Sequence, residues 1–142
     1  MRRMLKDTSG SVSILSIGFI FLLLLLTFLV IEMGSTYENY DYCMDVLQRS
    51  CNSAVECNID DSYRADRVLL LNTAGAQADF YRFVSSDLSR RYRVSVSSIT
   101  CTSMPPSMTV SGTVTFDTIF EQAGWDDLTV PFKVRATNYD LD

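Results

Sequence analysis

Histidine is absent from the 142 residues of this chain, which removes the commonest general base near neutral pH. The sequence also lacks a glycine-rich phosphate loop, a Gly-x-Ser-x-Gly motif and a zinc-binding motif. We therefore predict no catalytic residue, no metal site and no cofactor. The chain is expected to be neither an enzyme nor a binder of a small-molecule substrate.

Basic residues are scarce, with 12 against 17 acidic ones and a formal net charge of −5. Three of them, Arg2, Arg3 and Lys6, stand together at the start of the chain. Because nucleic-acid binding requires a basic surface for phosphate contacts, the acidic remainder argues against a nucleic-acid partner.

Charged side chains are missing altogether from Ser11 to Ile31. A helix needs about 20 largely apolar residues, at 1.5 Å rise each, to cross the hydrocarbon core of a bilayer. Positive residues beside such a segment favour the cytoplasmic side. We predict a cytoplasmic leader over 1–10, one transmembrane helix over 11–33 in contact with membrane lipid, and an extracytoplasmic domain over 34–142. A cleaved secretory signal is the alternative, although its apolar region spans only about 7–15 residues.

Helical spacing continues beyond the apolar segment. From Tyr37 to Val55 there is no proline or glycine, and apolar residues recur every three or four positions. This predicts an amphipathic stalk that continues the membrane helix, with a weak point at Gly34-Ser35. After a break near Asn58, a second helix is predicted to begin after Asp60 or Asp61 and to run to about Arg91.

The pattern changes to a period of two after Arg91, which predicts strands with one buried face. Alternation covers Arg93–Ser97, Met108–Phe116 and Leu128–Ala136, and Pro131 suggests that the last strand lies at an edge. The link between the second and third strands, 117–127, is predicted to cover the sheet. The fold class is thus α+β, with an N-terminal transmembrane helix extending into an amphipathic stalk, a second helix and a three-stranded antiparallel sheet.

Four cysteines, Cys43, Cys51, Cys57 and Cys101, all follow the predicted membrane helix. An even number in an oxidising compartment fits two disulfides. Cysteines eight residues apart on one helix are about 12 Å apart, too far for a disulfide. The preferred bridge therefore joins Cys51 or Cys57 to Cys101, and the alternative is four reduced thiols packed as small apolar residues.

A few polar and aromatic residues near the membrane boundary remain as candidates. Glu32 is interpreted as marking the outer end of the membrane segment, or as an ion-pair partner for a neighbouring subunit. Tyr37 and Tyr40 fit an interfacial aromatic belt combined with stalk packing. The carboxylate pairs Asp60-Asp61 and Asp126-Asp127 are interpreted as caps or solvated charges rather than as catalytic or calcium sites.

The layout resembles that of bacterial pilin-like proteins, and most closely the TadE-like pseudopilins of tight-adherence pili and related systems. The resemblance is carried by the basic stub, the small-residue step Ser9-Gly10-Ser11, the apolar run and its ending Ile31-Glu32-Met33-Gly34. It covers the first third of the chain by motif and the rest only by layout. In type IV prepilins a glutamate stands at the fifth position after the cleaved glycine, where this chain has Leu15.

The resemblance implies a non-enzymatic, membrane-anchored minor pseudopilin, with Gly10-Ser11 as the processing site. The implied partners are membrane lipid and other pilin-like subunits or assembly-platform proteins. Packing against lipid or other subunits would involve Phe19, Leu22, Leu26, Glu32, Tyr37 and Tyr40. The alternative function is a single-pass accessory or binding protein of a conjugation or surface apparatus.

Overall fold

The computed structural model describes residues 8–60, 69–117 and 127–138. The chain divides into an N-terminal unit, Met1–Thr36, and a C-terminal unit, Tyr37–Asp142. Helix α1, Thr8–Cys57, contributes residues to both. Gly34 and Ser35 are helical, so the predicted weak point is not a break. The helix also begins at Thr8, earlier than the predicted start of the membrane helix at residue 11.

Two very short strands follow α1, and this corrects the prediction for the second helix. Strand β1, Ile59–Asp60, pairs antiparallel with β2, Leu70–Leu71. Helix α2, Thr73–Asp87, begins later and ends earlier than predicted. The chain is still extended at Leu71, whose N–H donates to the Ser103 carbonyl at 3.1 Å. Of the predicted helix, 61–68 lies outside the described residues.

Asn58 connects the end of α1 to the start of α2. Its carbonyl accepts from the Asn72 N–H at 2.9 Å, and its side-chain amide donates to Asp79 Oδ2 at 2.9 Å. Asn72 is the N-cap of α2, and its side chain accepts from the Gly75 N–H at 3.1 Å. A Cβ at Gly75 would lie 2.1 Å from Asn58 Oδ1, so a larger residue here would require the Asn58 side chain to move. This corner explains why α2 starts at Thr73.

The three predicted strands form one antiparallel sheet in the order β3-β4-β5. The strands are β3 at Tyr92–Thr102, β4 at Ser107–Phe116 and β5 at Leu128–Thr137. The turn before β4 and the edge position of β5, with Pro131 exposed, are confirmed. The predicted cover over 118–126 lies outside the described residues.

Strand β3 is longer than its sequence pattern indicated because it contains an irregularity. The register with β4 shifts between Val96 and Ser98, and the inward-facing alternation resumes at Ile99. An extra residue at a bulge reverses which positions face the core, so a strict period of two ends there. At the same level a Cβ on Gly112 would lie 2.2 Å from the Ser95 carbonyl oxygen, so the strands approach too closely for a side chain.

The core of the C-terminal unit lies between α1 and the inner face of the sheet. Cys43, Leu47, Cys51 and Ala54 of α1 are fully buried. The inward residues of β4 and β5 are buried opposite them, and α2 adds Ala76 and Phe80. Along α1 the predicted spacing of three and four therefore describes a real buried face.

Candidate functional site

The surface of α1 in the N-terminal unit is apolar on all sides. The predicted packing residues Phe19, Leu22 and Leu26 are all exposed, as are the other large apolar side chains between Val12 and Ile31. Soluble proteins rarely expose contiguous apolar surface of this extent. Within the described residues this is the one helix long and apolar enough to cross a membrane.

Ser16 and Thr27, two of the hydroxyl-bearing residues in this apolar surface, are already hydrogen-bonded within the helix. Ser16 Oγ donates to the Val12 carbonyl at 2.9 Å, and Thr27 Oγ1 donates to the Leu23 carbonyl at 2.8 Å. A polar group placed in hydrocarbon without a partner costs several kcal/mol, by an estimate of about 2–7. Because neither hydroxyl needs an outside partner, the surface is compatible with lipid or with other apolar helices.

The predicted processing site lies in the first turns of α1. Gly10 and Ser11 are both helical.

No clash would follow from a side chain at Gly18 or Gly34, since nothing lies within 4 Å of a Cβ built at either position. Glu32 differs from its flanking residues: 8 % of its surface is exposed, against 64 % for Ile31 and 73 % for Met33. Its carboxylate is therefore not part of the exposed apolar surface.

The tyrosines at the start of the C-terminal unit divide into exposed and packed ones. Tyr37 is 66 % exposed. Tyr40 is half-buried, and its ring meets Phe116 edge-on at a centroid distance of 6.4 Å. Tyr42 donates from its hydroxyl to the Asp87 carbonyl at 3.2 Å and lies 5.7 Å from the Tyr92 ring. Tyr37 is the most exposed of the three and Tyr42 is 44 % exposed, while Tyr40 and Tyr42 also connect α1 to the sheet and α2.

All four cysteines are free thiols, so the predicted bridge from Cys101 to Cys51 or Cys57 is not formed. Cys51 is fully buried and its thiol approaches the Met108 carbonyl at 3.7 Å, while Cys57 is exposed at the end of α1. Burial raises the pKa of both the Cys43 and the Cys51 thiols to about 11. Cys43 and Cys51 therefore behave as small apolar core residues, which was the alternative interpretation.

One of the candidate carboxylates, Asp127, binds an arginine together with Asp117. Arg93 of β3 donates to Asp117 Oδ1 at 3.1 Å and also pairs with Asp127 Oδ2. The strand register brings these three side chains together. Tyr92, Phe116 and Leu128 are level with one another in the sheet, and Arg93, Asp117 and Asp127 are their neighbours in sequence. Arg93 thus joins the end of β4 to the start of β5, a structural role.

The other candidate carboxylates form no described cluster with further metal-ligating residues. Asp61 and Asp126 lie outside the described residues, and Asp60 lies in β1. In the part of the chain that the structure describes, no group of three potential metal ligands comes together.

Comparison with known proteins gives no relative: no protein-family model matches the sequence, and no curated protein or solved structure is detectably similar. Two surfaces of the chain bear on its function. These are the apolar helix surface of the N-terminal unit and the polar exterior of the C-terminal unit.

Proposed function

We propose that the protein is a membrane-anchored, pilin-like structural subunit of a bacterial pilus or secretion assembly, with no enzymatic activity of its own. The apolar part of α1 spans the cell membrane once, with the N-terminus in the cytoplasm. The C-terminal unit lies on the extracytoplasmic side, and the partners are lipid and other pilin-like or platform proteins.

One observation carries the proposal: the large apolar side chains of α1 from Val12 to Ile31 are exposed in every direction. A surface helix of a soluble domain buries a stripe and exposes a polar face, whereas a helix apolar all round requires an apolar environment on all sides. Lipid supplies that environment, and so do copies of the same helix packed side by side. The helix is therefore suited to move from a membrane into a bundle without a change in its surroundings.

The hydrogen bonds of Ser16 and Thr27 within the helix are compatible with lipid and with a bundle of apolar helices alike. Neither hydroxyl requires a fixed partner on a neighbouring helix, so packing among copies relies on shape and dispersion rather than on a polar contact. This is the behaviour expected of a subunit that exchanges lipid neighbours for protein neighbours during assembly. The acidic C-terminal unit keeps the assembly soluble.

The experiment is to isolate the native full chain from membranes and from sheared surface material, and to determine its N-terminus by intact mass and terminal sequencing. A start at Ser11, with protein in the surface fraction, supports a processed pilus subunit. A Gly10→Leu variant should then accumulate uncleaved, whereas Gly18→Leu, a matched change inside the apolar run, should be cleaved normally.

Two other outcomes would redirect the proposal. A start at Met1, with protein found only as single copies in the membrane, favours an accessory or binding protein of a surface apparatus. In that case an unrelated membrane anchor should restore function. A start beyond Gly34 would overturn both readings, because the product would be a soluble secreted domain.

A further inference from the structure

Two exposed surfaces of the C-terminal unit carry side chains of opposite charge. The first, the helix stripe, consists of exposed α1 residues at spacings of three and four, which therefore share one face of the helix. Its members are Glu38, Asp41, Asp45, Arg49, Asn52 and Glu56. Asp45 and Arg49 are one helical turn apart and offset each other. Glu38 and Asp41, at the start of the stripe, have no basic residue at such a spacing in the sequence.

The second surface, the sheet face, is the outer side of β4 and β5, where exposed Lys133 and Arg135 alternate with the buried Phe132, Val134 and Ala136. Their neighbours across the sheet are uncharged, since Lys133 is level with Ser111 and Arg135 with Thr109. Neither forms an ion pair with another described residue, in contrast to Arg93, which two carboxylates neutralise. This basic, hydroxyl-bearing patch therefore has no carboxylate partner among the described residues.

The helix stripe and the sheet face lie on opposite sides of one compact unit. The other face of α1 packs on the inner side of the sheet, as the Cys51 contact with the Met108 carbonyl and the Tyr40–Phe116 ring contact show. Gln48 also donates to the Arg135 carbonyl at 2.8 Å. A second copy can therefore place its sheet face on the helix stripe of the first, and its own helix stripe stays free for a third copy. Such a heterologous contact does not close and can be repeated along an array.

We propose that the C-terminal units associate in this way, with Lys133 and Arg135 of one copy against Glu38 and Asp41 of the next. The partner is a second copy because the helix stripe of this same chain supplies the opposite charge. The inference deepens the proposed function and rests on it, since it names the contact between neighbouring subunits. Exposed ion pairs are individually weak, so the charges set the orientation of the copies while the apolar helices hold them in one assembly.

The test uses a zero-length carbodiimide, which joins a carboxylate and an amine as an amide, with loss of water, only where the two touch. Lys133 and Lys6 are the only lysines in the sequence, so a link to Lys133 is unambiguous. Full-length protein, mixed from isotope-labelled and unlabelled copies, is reconstituted in liposomes, linked and mapped by mass spectrometry. The expected product joins Lys133 of one copy to Glu38 or Asp41 of another.

Charge reversal separates a specific contact from general attraction. Lys133→Glu with Arg135→Glu should reduce association of copies about tenfold, and so should Glu38→Lys with Asp41→Lys. Combining all four changes should restore it. Arg90→Glu with Arg91→Glu lowers the net charge by the same amount as Lys133→Glu with Arg135→Glu, at exposed positions outside both surfaces. This control should leave association unchanged.

Three results would overturn the inference. Copies that crosslink through their membrane helices, but never through Lys133 to the helix stripe, would refute this contact and leave the proposed function standing. Absence of any association between copies would remove the proposed function as well. Binding of the sheet face to an anionic polysaccharide resin, lost on reversal of Lys133 and Arg135 and without crosslinks between copies, would assign the basic patch to a polymer instead.

Discussion

Exposed apolar side chains surround α1 in the N-terminal unit, whereas in the C-terminal unit the same helix has one buried apolar face and one charged face. In the N-terminal unit the exposed side chains can contact either lipid or other apolar helices. The C-terminal unit commits Cys43, Leu47 and Cys51 to a particular sheet. One continuous helix thus meets two different requirements, because its sequence changes from uniformly apolar to periodic. Changes in the two units are therefore expected to affect different measurements.

The largest effect on the C-terminal unit is expected from Phe80→Ala. Phe80 is fully buried in the core, and truncation of a buried phenylalanine typically costs about 3–5 kcal/mol. The urea midpoint, followed by near-UV circular dichroism in detergent, should fall steeply while membrane retention is unchanged. Tyr81→Ala is the control, because Tyr81 is the next residue in the helix and its side chain is 52 % exposed. Equal losses for the two variants would contradict the core described here.

Leu24→Arg should have the opposite pattern. A charge at the centre of a membrane helix costs about 2.5–3.5 kcal/mol on the insertion scale, so membrane retention or assembly should be lost. The C-terminal unit should keep its urea midpoint, since Leu24 belongs to the other unit. Leu24→Ala should be retained in the membrane. If Leu24→Arg were retained and assembled like the unaltered chain, α1 would not span the bilayer over this segment.

Two glycine substitutions sharpen the comparison further. Gly112→Ala should destabilise the C-terminal unit by about 1–3 kcal/mol, because its Cβ would lie 2.2 Å from the Ser95 carbonyl oxygen. Gly18→Ala should be tolerated or slightly favourable, since nothing lies within 4 Å of its Cβ and alanine is the better helix former. Thermal unfolding and helix content measured in the same detergent distinguish them. A stable Gly112→Ala variant would mean that β3 and β4 can separate at the bulge.

The smallest effect concerns the thiols. At pH 8 iodoacetamide should modify exposed Cys57 well before Cys43 and Cys51, which are buried and have pKa values raised to about 11. Peptide mapping of a time course measures the order, and unfolded protein, in which all four react alike, is the control. Rapid modification of Cys51 in the folded protein would contradict its position against Met108.

The same thiols give the C-terminal unit a pH dependence. The pKa of the Cys43 and Cys51 thiols is about 9 in the unfolded chain and about 11 in the folded one. Between these pH values the unfolded chain loses the thiol protons while the folded chain keeps them. Folding stability should therefore be complete below pH 9 and fall as the pH rises through this window. Urea midpoints measured at pH 8 and pH 10 test the direction, and a Cys43→Ala, Cys51→Ala variant should show a shallower fall.

Sequence periodicity predicted much of the fold, and its failures have local causes. The apolar segment, the amphipathic continuation of α1 and the three antiparallel strands are all present. Strand β3 continues beyond Ser97 because a bulge shifts its alternation. Helix α2 starts at Thr73 because Asn58, Asn72 and Gly75 meet at one corner. Neither cause is visible in hydrophobic spacing, since each depends on a segment distant in sequence.

The candidate surfaces were predictable to different degrees. The apolar helix followed directly from composition. Among the described residues, which include all four cysteines, the structure contains no disulfide. The sequence shows that cysteines eight residues apart on one helix are too far apart for a bridge, but not which neighbours each thiol has in the core. The basic patch was missed. Lys133 and Arg135 lie within the predicted strand Leu128–Ala136, but the alternation alone does not show that their cross-strand neighbours are uncharged.

The sequence by itself determined where the chain is apolar on all sides, where it has one apolar face, and that its charge is mostly acidic. These properties depend only on composition and on spacings within one helix or strand. The tertiary structure decided which carboxylates neutralise Arg93, which thiols are buried, and that the helix stripe and the sheet face point in opposite directions. Those outcomes depend on strand register and on the packing of α1 against the sheet, which bring together residues far apart in the chain.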